Sequence, residues 1–541
     1  MGKPSGGVYF GFLVLVLGIQ AALLLGKGVL LIDQHQGDVL HVLEIVMRMQ
    51  QGQWPHLDFS TPLGVLSFAP VAGLLAAGFG AGTAIMGSFV LFALILLPAV
   101  WWAGYSRLGG FVAYLFGAAC LVMVTALVYG GSDQVVSISM YYNRWAWAVG
   151  FVLVVLAVLP AQRSSEPVDG LVFGFGLAFL ALAKMTFFVA FLPGILVAIL
   201  VRRKFRALLF GMGAGLLVVV VMTLLGGVGF WLAYINDLKF VSTSPIRSAP
   251  GSPLVTLLIG PSFLAANMCL MAAVVLVRRS GLAIEGLLLF LFAPAFVYVT
   301  YQNWGNDPKW LFLLAILLFS MRPERHLNTA FGWDVGRAMT VVGLLAMALI
   351  LPSAVNLAFV DLRHAKMSRE GFTQVFPGVE GRDILMPVER IYLPEKKIGF
   401  SLTDPGLLKK VKDDGAELTL GRLFGQPLTA CKLEMALIGV LNQMALDLDK
   451  IPETAGRSVF VADTFSALWL FGQTQMVPHG SPWFYGGDVG LKQADYVLIP
   501  LCPVNYQARS EVLKAIAARV EPDLHEVTRT DLYILLRRSD G

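Results

Sequence analysis

Eleven long apolar runs within residues 1–356 constrain this chain more than any other feature. About 20 consecutive apolar residues are enough for a helix to cross the hydrocarbon core of a bilayer, and soluble domains seldom contain such runs. The chain is therefore predicted to be a polytopic α-helical membrane protein with about eleven transmembrane helices. We predict these helices at 8–31, 82–103, 110–129, 145–161, 168–183, 186–201, 207–226, 254–277, 282–301, 309–321 and 338–356.

The distribution of charge separates this membrane region from a second region. Residues 1–356 contain 31 of the 75 Asp, Glu, Lys and Arg residues, about 9% of their positions, whereas residues 357–541 contain the other 44, about 24%. The second value is that of an ordinary soluble domain. Alternating strand-like and helix-like patterns in this region predict a small α/β domain. Strands are expected at 458–462, 496–500 and 530–537, and a helix at 511–520.

Basic residues predict the orientation of the helices, because Lys and Arg accumulate in cytoplasmic loops. The clearest clusters lie at 202–206, 278–279 and 322–325. If these clusters face the cytoplasm, the N-terminus with Lys3 is also cytoplasmic only when the apolar stretch 63–79 does not cross the membrane. We predict an interfacial or re-entrant helix there. The first outer loop, 33–62, and the domain 357–541 are then outside, which is the periplasm for a multi-pass protein of the bacterial inner membrane.

Cysteine and basic-residue patterns exclude several classes of function. No stripe of Lys and Arg with interleaved aromatic residues occurs in the soluble region, so we expect no nucleic-acid partner. Cys431 and Cys502 lie in that region, either as a disulfide in an oxidising compartment or as two separate thiols. No residue spacing predicts a metal site. A divalent cation is a possible cofactor. Asp133 in the second outer loop is either a second acid or metal ligand, or a cap or loop residue.

The first outer loop is dense in ionisable residues, namely Asp33, His35, Asp38, His41, Glu44, His56 and Asp58. Polar residues from Asp38 to Gln51 recur every three or four positions, which predicts an amphipathic helix in the membrane interface. A solvated polar face explains this pattern by itself. The alternative is the wall of a site, because Asp33 and Asp38 follow the first span closely, within reach of a lipid head group.

The same loop resembles the first periplasmic loop of the GT-C superfamily of integral membrane glycosyltransferases. The resemblance is carried by the acidic start, Gly52-Gln-Trp-Pro55 and Asp58-Phe-Ser-Thr-Pro-Leu-Gly64, together with a Gly-rich span that ends in a lone Lys184. The mannosyltransferase and aminoarabinose-transferase type is the most similar group. The resemblance covers most of residues 8–321, although the usual Asp-Glu pair after the first span is missing.

This resemblance implies an inverting glycosyltransferase that moves a hexose or pentose from a polyprenyl-phosphate donor to a lipid-linked, glycan or protein acceptor. One outer-loop carboxylate would take the proton of the acceptor hydroxyl, with Asp38 the first candidate and Asp33 the second. The leaving phosphate needs cationic partners. The candidates on the outer side are Arg144, Lys184, Lys309 and Arg247. A lone Lys between two apolar runs is costly unless it is paired, although a snorkelling anchor is the alternative for Lys184.

Substrate-binding candidates also lie in the outer loops. They are His35, His41, Glu44, Asp58, Tyr142, Asn303, Trp304 and Asp307. The loop 301–310 combines aromatic and amide side chains that suit a sugar, whereas an interfacial aromatic belt would explain only its tryptophans. The loop 477–487 either contacts a glycan acceptor or serves as a structural turn.

A transporter, a flippase or a polymer ligase for a lipid-linked glycan is the alternative function. Transporters commonly place ionisable groups or broken helices at the membrane midplane in both halves of a repeat. In this chain the ionisable residues collect at one surface, and the first half shows no repeat in the second. These features favour the glycosyltransferase.

Overall fold

The computed structural model describes residues 5–246, 253–302, 307–328, 332–376, 378, 381–398, 412–413, 416–417, 421–428, 431–519 and 523–539. The α-helices are α1 (Gly6–Leu25), α2 (Gln36–Gln50), α3 (Ala69–Ala76), α4 (Ala81–Arg107), α5 (Gly110–Thr125), α6 (Tyr141–Val158), α7 (Glu166–Ala183), α8 (Met185–Val201), α9 (Phe205–Ser242), α10 (Leu254–Ile259), α11 (Pro261–Arg279), α12 (Ala283–Tyr301), α13 (Trp310–Ser320), α14 (Val335–Lys366), α15 (Val388–Tyr392), α16 (Leu437–Leu448) and α17 (Tyr506–Arg519). The strands are β1 (Leu30–Leu31), β2 (Phe372–Gln374), β3 (Ile384–Pro387), β4 (Glu395–Ile398), β5 (Lys412–Asp413), β6 (Ala416–Glu417), β7 (Arg422–Leu423), β8 (Gln426–Pro427), β9 (Cys431–Met435), β10 (Val459–Val461), β11 (Tyr496–Pro500), β12 (Leu524–Arg529) and β13 (Tyr533–Arg538).

The helices from α1 to α14 form a membrane-type bundle. In the described part of the chain, seven of them, α1, α4, α6, α7, α9, α12 and α14, are long and apolar enough to cross a bilayer. The shorter apolar helices α5, α8 and α13, together with α11, occupy the other predicted spans. Large apolar side chains face outwards, as Leu224 does with 80% exposure, which is expected for a surface in contact with lipid. The polytopic helical class predicted from the sequence is confirmed.

Backbone breaks affect two of the predicted spans, one at its end and one in its interior. Gly227 adopts φ 71°, a left-handed conformation that favours glycine, so α9 consists of two segments joined by a kink. The first segment matches the predicted span 207–226, and the second lies beyond it. The span predicted at 254–277 is also divided, into α10 and α11. Pro261 begins α11 because it has no N–H to donate to α10.

The stretch 63–79 contains a single 3-10 turn, Val65–Ser67, and the short helix α3. Eight residues of α-helix extend about 12 Å, whereas the hydrocarbon core is about 30 Å thick. This helix is therefore too short to cross by itself, which is what the sequence-based topology requires.

Buried ion pairs join helix ends that the sequence predicts to be cytoplasmic. Arg107 at the end of α4 lies 2.5 Å from Asp169 at the start of α7, and Lys204, between α8 and α9, lies 3.2 Å from the same carboxylate. Arg202 and Glu285 form a further pair at 2.9 Å. The predicted inner ends of these helices therefore meet at one end of the bundle.

The C-terminal domain packs on the opposite end. Strand β1, directly after α1, pairs in parallel with β3 of the C-terminal region. The carboxylate of Asp383 accepts hydrogen bonds from the backbone N–H groups of Gly82 and Thr83, which caps the end of α4 remote from Arg107. The helix α14 continues to Lys366, so the domain boundary predicted at 356 falls inside a helix, because helical structure continues after the apolar run ends.

The centre of the C-terminal domain is a four-stranded sheet in the order β10-β11-β13-β12. Strands β10 and β11 are parallel, and β13 is antiparallel to both of its neighbours. The three predicted strands correspond to β10, β11 and β13, whereas β12 lies outside them, and α17 begins five residues before the predicted helix. The predicted α/β domain is confirmed. Cys431 and Cys502 form a disulfide that joins β9 to the loop after β11, so they are not separate thiols.

Helix α2 is enclosed by protein on both faces. It packs on α3 of the bundle on one side and on α16 and the 3-10 segment Ala467–Leu470 of the C-terminal domain on the other. His41, Glu44 and Arg48 of its polar face are all buried. The predicted helix is present, but its polar face is covered by the C-terminal domain and is not solvated.

Candidate functional site

A cavity of about 360 Å³ lies between the start of α2 and the C-terminal domain. The α2 side contributes His35, Gly37 and Asp38. The domain side contributes Arg390, Leu433, Glu434, Met435, Thr464, Phe465, Trp483, Val504 and Asn505. Its size is within the range of about 300–1,000 Å³ that is usual for small-ligand sites, and its wall combines polar and aromatic groups as such sites do.

Asp38 is the acidic side chain of α2 that lines this cavity. Its Oδ2 accepts a hydrogen bond of 2.8 Å from the Ser139 hydroxyl, in the segment that precedes α6. Burial raises the pKa of Asp38, because loss of water disfavours the charged carboxylate, while the Ser139 hydrogen bond and His35 act in the opposite direction. A carboxylate with a raised pKa is a better proton acceptor near neutral pH than an ordinary surface Asp.

His35 fixes the start of α2 beside Asp38. Its backbone adopts φ 65°, which is uncommon for a residue other than glycine, and its Nδ1 lies 2.9 Å from the Ser137 hydroxyl. Such strained conformations are concentrated at functional sites. The segment that carries Ser137 and Ser139 therefore positions both ionisable groups that α2 presents to the cavity.

Asp33 is held differently. Its backbone N–H donates to the Val136 carbonyl at 3.1 Å, and its Oδ1 accepts from the Val136 N–H at 3.0 Å. Burial raises the pKa of Asp33 as well. Asp33 does not line the cavity, whereas Asp38 does. The two candidate bases therefore differ in their access to a ligand in the cavity.

His41 lies one helical turn beyond Asp38 and is only 3% exposed. Its ring centre is 5.3 Å from that of Trp483, and its Nε2 has no hydrogen-bond partner among the described residues. Burial lowers the pKa of His41 to about 3, and the positive charge of Lys184 acts in the same direction. His41 is therefore neutral at physiological pH.

Lys184 lies in a second, smaller pocket of about 110 Å³, lined also by Pro62, Tyr142 and Tyr485. It occupies the non-helical break between α7 and α8, and its Nζ lies 5.1 Å from the centre of the Tyr142 ring. An apolar groove of about 310 Å³ between α7, α8 and α9 extends to Leu182, two residues before this lysine. A cation thus lies close in the chain to the lining of an apolar groove.

Lys309 and Asp307 form an ion pair at the end of another apolar groove. This groove has about 200 Å³ and runs between α5, α13 and α14. The Tyr129 ring, whose hydroxyl donates to Asp133 at 3.0 Å, lies 5.3 Å from the His35 ring. Lys309 is therefore paired with an acid at its own end of this groove.

Arg144 is fully buried at the start of α6 and lines none of these cavities. Its Nη1 donates to the Met123 carbonyl at 2.7 Å and also contacts the Val124 carbonyl at 3.4 Å. These carbonyls belong to the last turn of α5, where helical partners are missing. Arg144 thus caps a helix end in this structure and is not brought to the candidate phosphate sites.

Two other predicted residues of the first outer loop contact residues close to them in sequence. Glu44 forms a buried ion pair of 3.1 Å with Arg48, and the Asp58 carboxylate accepts from the Trp54 N–H at 2.7 Å within a turn. Neither of these acids lines the cavity. Three further candidates, Arg247, Asn303 and Trp304, lie outside the described residues.

The C-terminal domain supplies cavity residues that sequence reasoning missed, among them Arg390, Thr464, Phe465 and Asn505. No motif marks them, since they come from α15 and from two loops that only the fold brings together. The loop 477–487 does carry a signal, because Trp483 of that loop lines the cavity. Throughout the described residues, no three His, Cys, Asp or Glu side chains are close enough together to hold a metal ion.

Comparison with known proteins finds no matching family model and no matching curated protein. A solved structure of ArnT from Cupriavidus metallidurans in the apo state matches with 10% identity and a TM-score of 0.42, covering 98% of this chain and 97% of that chain. The chain is similar to ArnT. A second ArnT structure, bound to undecaprenyl phosphate, matches with the same identity and coverage and a TM-score of 0.39.

Proposed function

We propose that this protein is a GT-C type membrane glycosyltransferase that moves a sugar from a polyprenyl-phosphate donor to an acceptor hydroxyl. The observation that carries the proposal is the position of Asp38, a carboxylate with a raised pKa that lines a polar cavity between bundle and C-terminal domain. Lys184 lies beside an apolar groove, and its positive charge lowers the pKa of His41. A base, a cation and a groove for a lipid tail are the parts that this chemistry requires.

The proposed reaction is a single displacement. Asp38 takes the proton of the acceptor hydroxyl while the acceptor oxygen forms a bond to C1 of the donor sugar. The bond between C1 and the phosphate oxygen breaks, and polyprenyl phosphate leaves with the electron pair. Charge grows on the phosphate as it departs, so a nearby ammonium stabilises the oxocarbenium-like transition state. Because the carboxylate acts as a base and not as a nucleophile, the configuration at C1 inverts.

Lys184 is the proposed partner of the donor phosphate. We expect Lys184→Gln to raise the donor KM at least about tenfold and to lower kcat, because one charge-assisted contact strengthens in the transition state. The measurement is release of radiolabelled sugar from an undecaprenyl-phosphate-linked hexose or pentose by the purified protein in detergent. Lys309→Gln is the matched control. If only Lys309→Gln raises the donor KM, the donor phosphate binds beside Lys309 and not beside Lys184.

The pH dependence of transfer tests the proposed base. Because burial raises the pKa of Asp38, its carboxylate takes a proton at a higher pH than a solvent-exposed Asp. We therefore expect kcat/KM to fall as the pH is lowered through that raised pKa, since only the deprotonated form can accept the acceptor proton. A pH profile of the purified protein measures this limb. A flat profile down to the pKa of an ordinary Asp would exclude Asp38 as the base.

We also propose that the C-terminal domain faces the periplasm, with the membrane region 1–356 carrying the donor site. The disulfide between Cys431 and Cys502 supports this orientation, because disulfides persist in oxidising compartments. The ion pairs around Asp169 at the other end of the bundle agree with the positive-inside assignment. Protease added to spheroplasts should then cleave the C-terminal domain without permeabilisation.

The transfer reaction and its substrates can be tested in one comparison. Lipid-linked and surface glycans of cells with and without the protein are compared by mass spectrometry, and the purified protein is assayed with the lipid-linked donor. Loss of one sugar from a surface glycan, with accumulation of its lipid-linked donor, is the expected result. Accumulation of a lipid-linked intermediate on the cytoplasmic face would instead indicate a flippase.

A further inference from the structure

We propose that the cavity between α2 and the C-terminal domain binds the acceptor, and that the acceptor is a sugar unit of a glycan. This inference rests on the proposed function and adds the acceptor class, which the sequence leaves open between lipid, glycan and protein. It also makes the C-terminal domain part of the site, through Trp483 and Thr464.

The composition of the cavity wall indicates that the ligand is a sugar. The wall contains a partly exposed indole, Trp483, together with a hydroxyl, an amide and a guanidinium from Thr464, Asn505 and Arg390. Sugars present both an apolar ring face and a dense ring of hydroxyls, so they suit a site with one aromatic surface and several polar groups. A lipid tail would need a continuous apolar wall, which the two bundle grooves have and this cavity lacks.

Trp483 is held rigidly for such a role. Its ring centre lies 4.9 Å from that of Phe465 and 5.3 Å from that of His41, edge to face in both cases. Phe465 in turn packs so closely on α2 that a Cβ atom added to Gly37 would lie 2.5 Å from its ring. The indole is therefore fixed relative to Asp38, the residue after Gly37, and a sugar stacked on it would keep a constant distance to the base.

Thr464 provides the second, independent observation. The residue is only 3% exposed and lines the cavity, yet its Oγ1 has no hydrogen-bond partner in the described part of the chain. Buried hydroxyls are nearly always hydrogen-bonded, and an unpaired one is destabilising. A sugar hydroxyl in the cavity would supply the partner. Asn505, whose Oδ1 caps α17, places its amide group at the same wall.

Binding is measured on the full-length protein in detergent by saturation-transfer NMR, without any donor. The probe is the water-soluble glycan fraction released by mild acid from the envelope of a strain that lacks the protein. We expect saturation transfer to sugar protons with the unmodified protein and at least a fivefold loss with Trp483→Ala. Trp333→Ala is the matched control and should bind normally. The Trp333 side chain is 71% exposed and does not line the cavity.

The variant Thr464→Val separates a ligand-binding role from a structural one. Valine has the shape of threonine without the hydroxyl, so the protein should melt at the same or a higher temperature. We expect the same variant to raise the acceptor KM at least threefold with little change in kcat. A lower melting temperature with unchanged KM would assign the hydroxyl to the fold and contradict its role in binding.

The outcomes distinguish this inference from the proposed function. No saturation transfer to glycans from the unmodified protein, or equal transfer with Trp483→Ala, overturns the acceptor site. Saturation transfer to peptide protons of the same released fraction, with none to its sugar protons, overturns the acceptor class. If glycans bind through Trp483 but no polyprenyl-phosphate sugar is cleaved, the glycan site stands and the proposed transferase reaction fails.

Discussion

Asp38→Asn is expected to lower glycosyl transfer by about 10²–10⁴-fold, which is the usual contribution of a general base. The amide cannot take a proton from the acceptor hydroxyl, but its oxygen can still accept the hydrogen bond from Ser139. The protein should therefore fold normally and bind donor. The measurement is the single-turnover rate of sugar transfer by purified protein, together with its melting temperature in the same detergent.

Asp33→Asn is the matched control for this experiment. Asp33 is also partly buried and has a raised pKa, but its carboxylate is bonded to the Val136 backbone and lies outside the cavity. We expect Asp33→Asn to keep at least about a tenth of the transfer rate, because it removes no group that the proposed reaction uses. Full activity in both variants would refute a role for either acid as the base. A severe loss in Asp33→Asn alone would transfer the role to Asp33.

Arg48→Met is expected to destabilise the attachment of the C-terminal domain by about 3–5 kcal/mol, the usual cost of removing one partner of a buried ion pair. Arg48 pairs with Glu44 at 3.1 Å and donates to the Val477 carbonyl at 3.3 Å across the interface. Its guanidinium also lies 5.9 Å from the centre of the Trp469 ring. Without it, Glu44 is buried with no compensating charge.

Limited proteolysis and thermal unfolding in detergent measure this effect. Arg48→Met should melt at a lower temperature and release the C-terminal domain at lower protease concentration. The double variant Glu44→Gln with Arg48→Met should recover part of the stability, because a neutral amide costs less to bury than an unpaired carboxylate. Equal stability of Arg48→Met and the unmodified protein would mean that Arg48 does not hold α2 against the domain.

The transmembrane helices are predictable from the sequence because the bilayer imposes a length and a composition on each span. The same holds for the α/β class of the C-terminal domain, since β10 and β11 are short buried strands with nearly continuous apolar sequence. Helix ends are less predictable. The span 254–277 divides at Pro261, and α14 continues beyond its apolar run, because hydropathy describes the environment of a helix and not its hydrogen bonds.

The environment of α2 cannot be predicted from its own residues. Polar side chains repeated every three or four positions look the same whether water or another domain covers them. The cover comes from residues more than 400 positions away, such as Trp469 and Val477, which contact Glu44 and Arg48. Two of the predicted substrate-binding acids have partners on their own helix or turn, Glu44 in an ion pair and Asp58 in a backbone hydrogen bond.

The sequence by itself determined the bundle, the soluble domain and the loop that carries Asp38, because hydrophobic length and local periodicity are properties of contiguous residues. Only the tertiary structure decided which groups share a cavity. It brought Asp38 to Trp483 and Thr464, separated Asp33 from them, and assigned Arg144 to the end of α5. The physical reason is that burial and hydrogen-bond partners at these positions come from chain segments far apart in sequence, which no local pattern records.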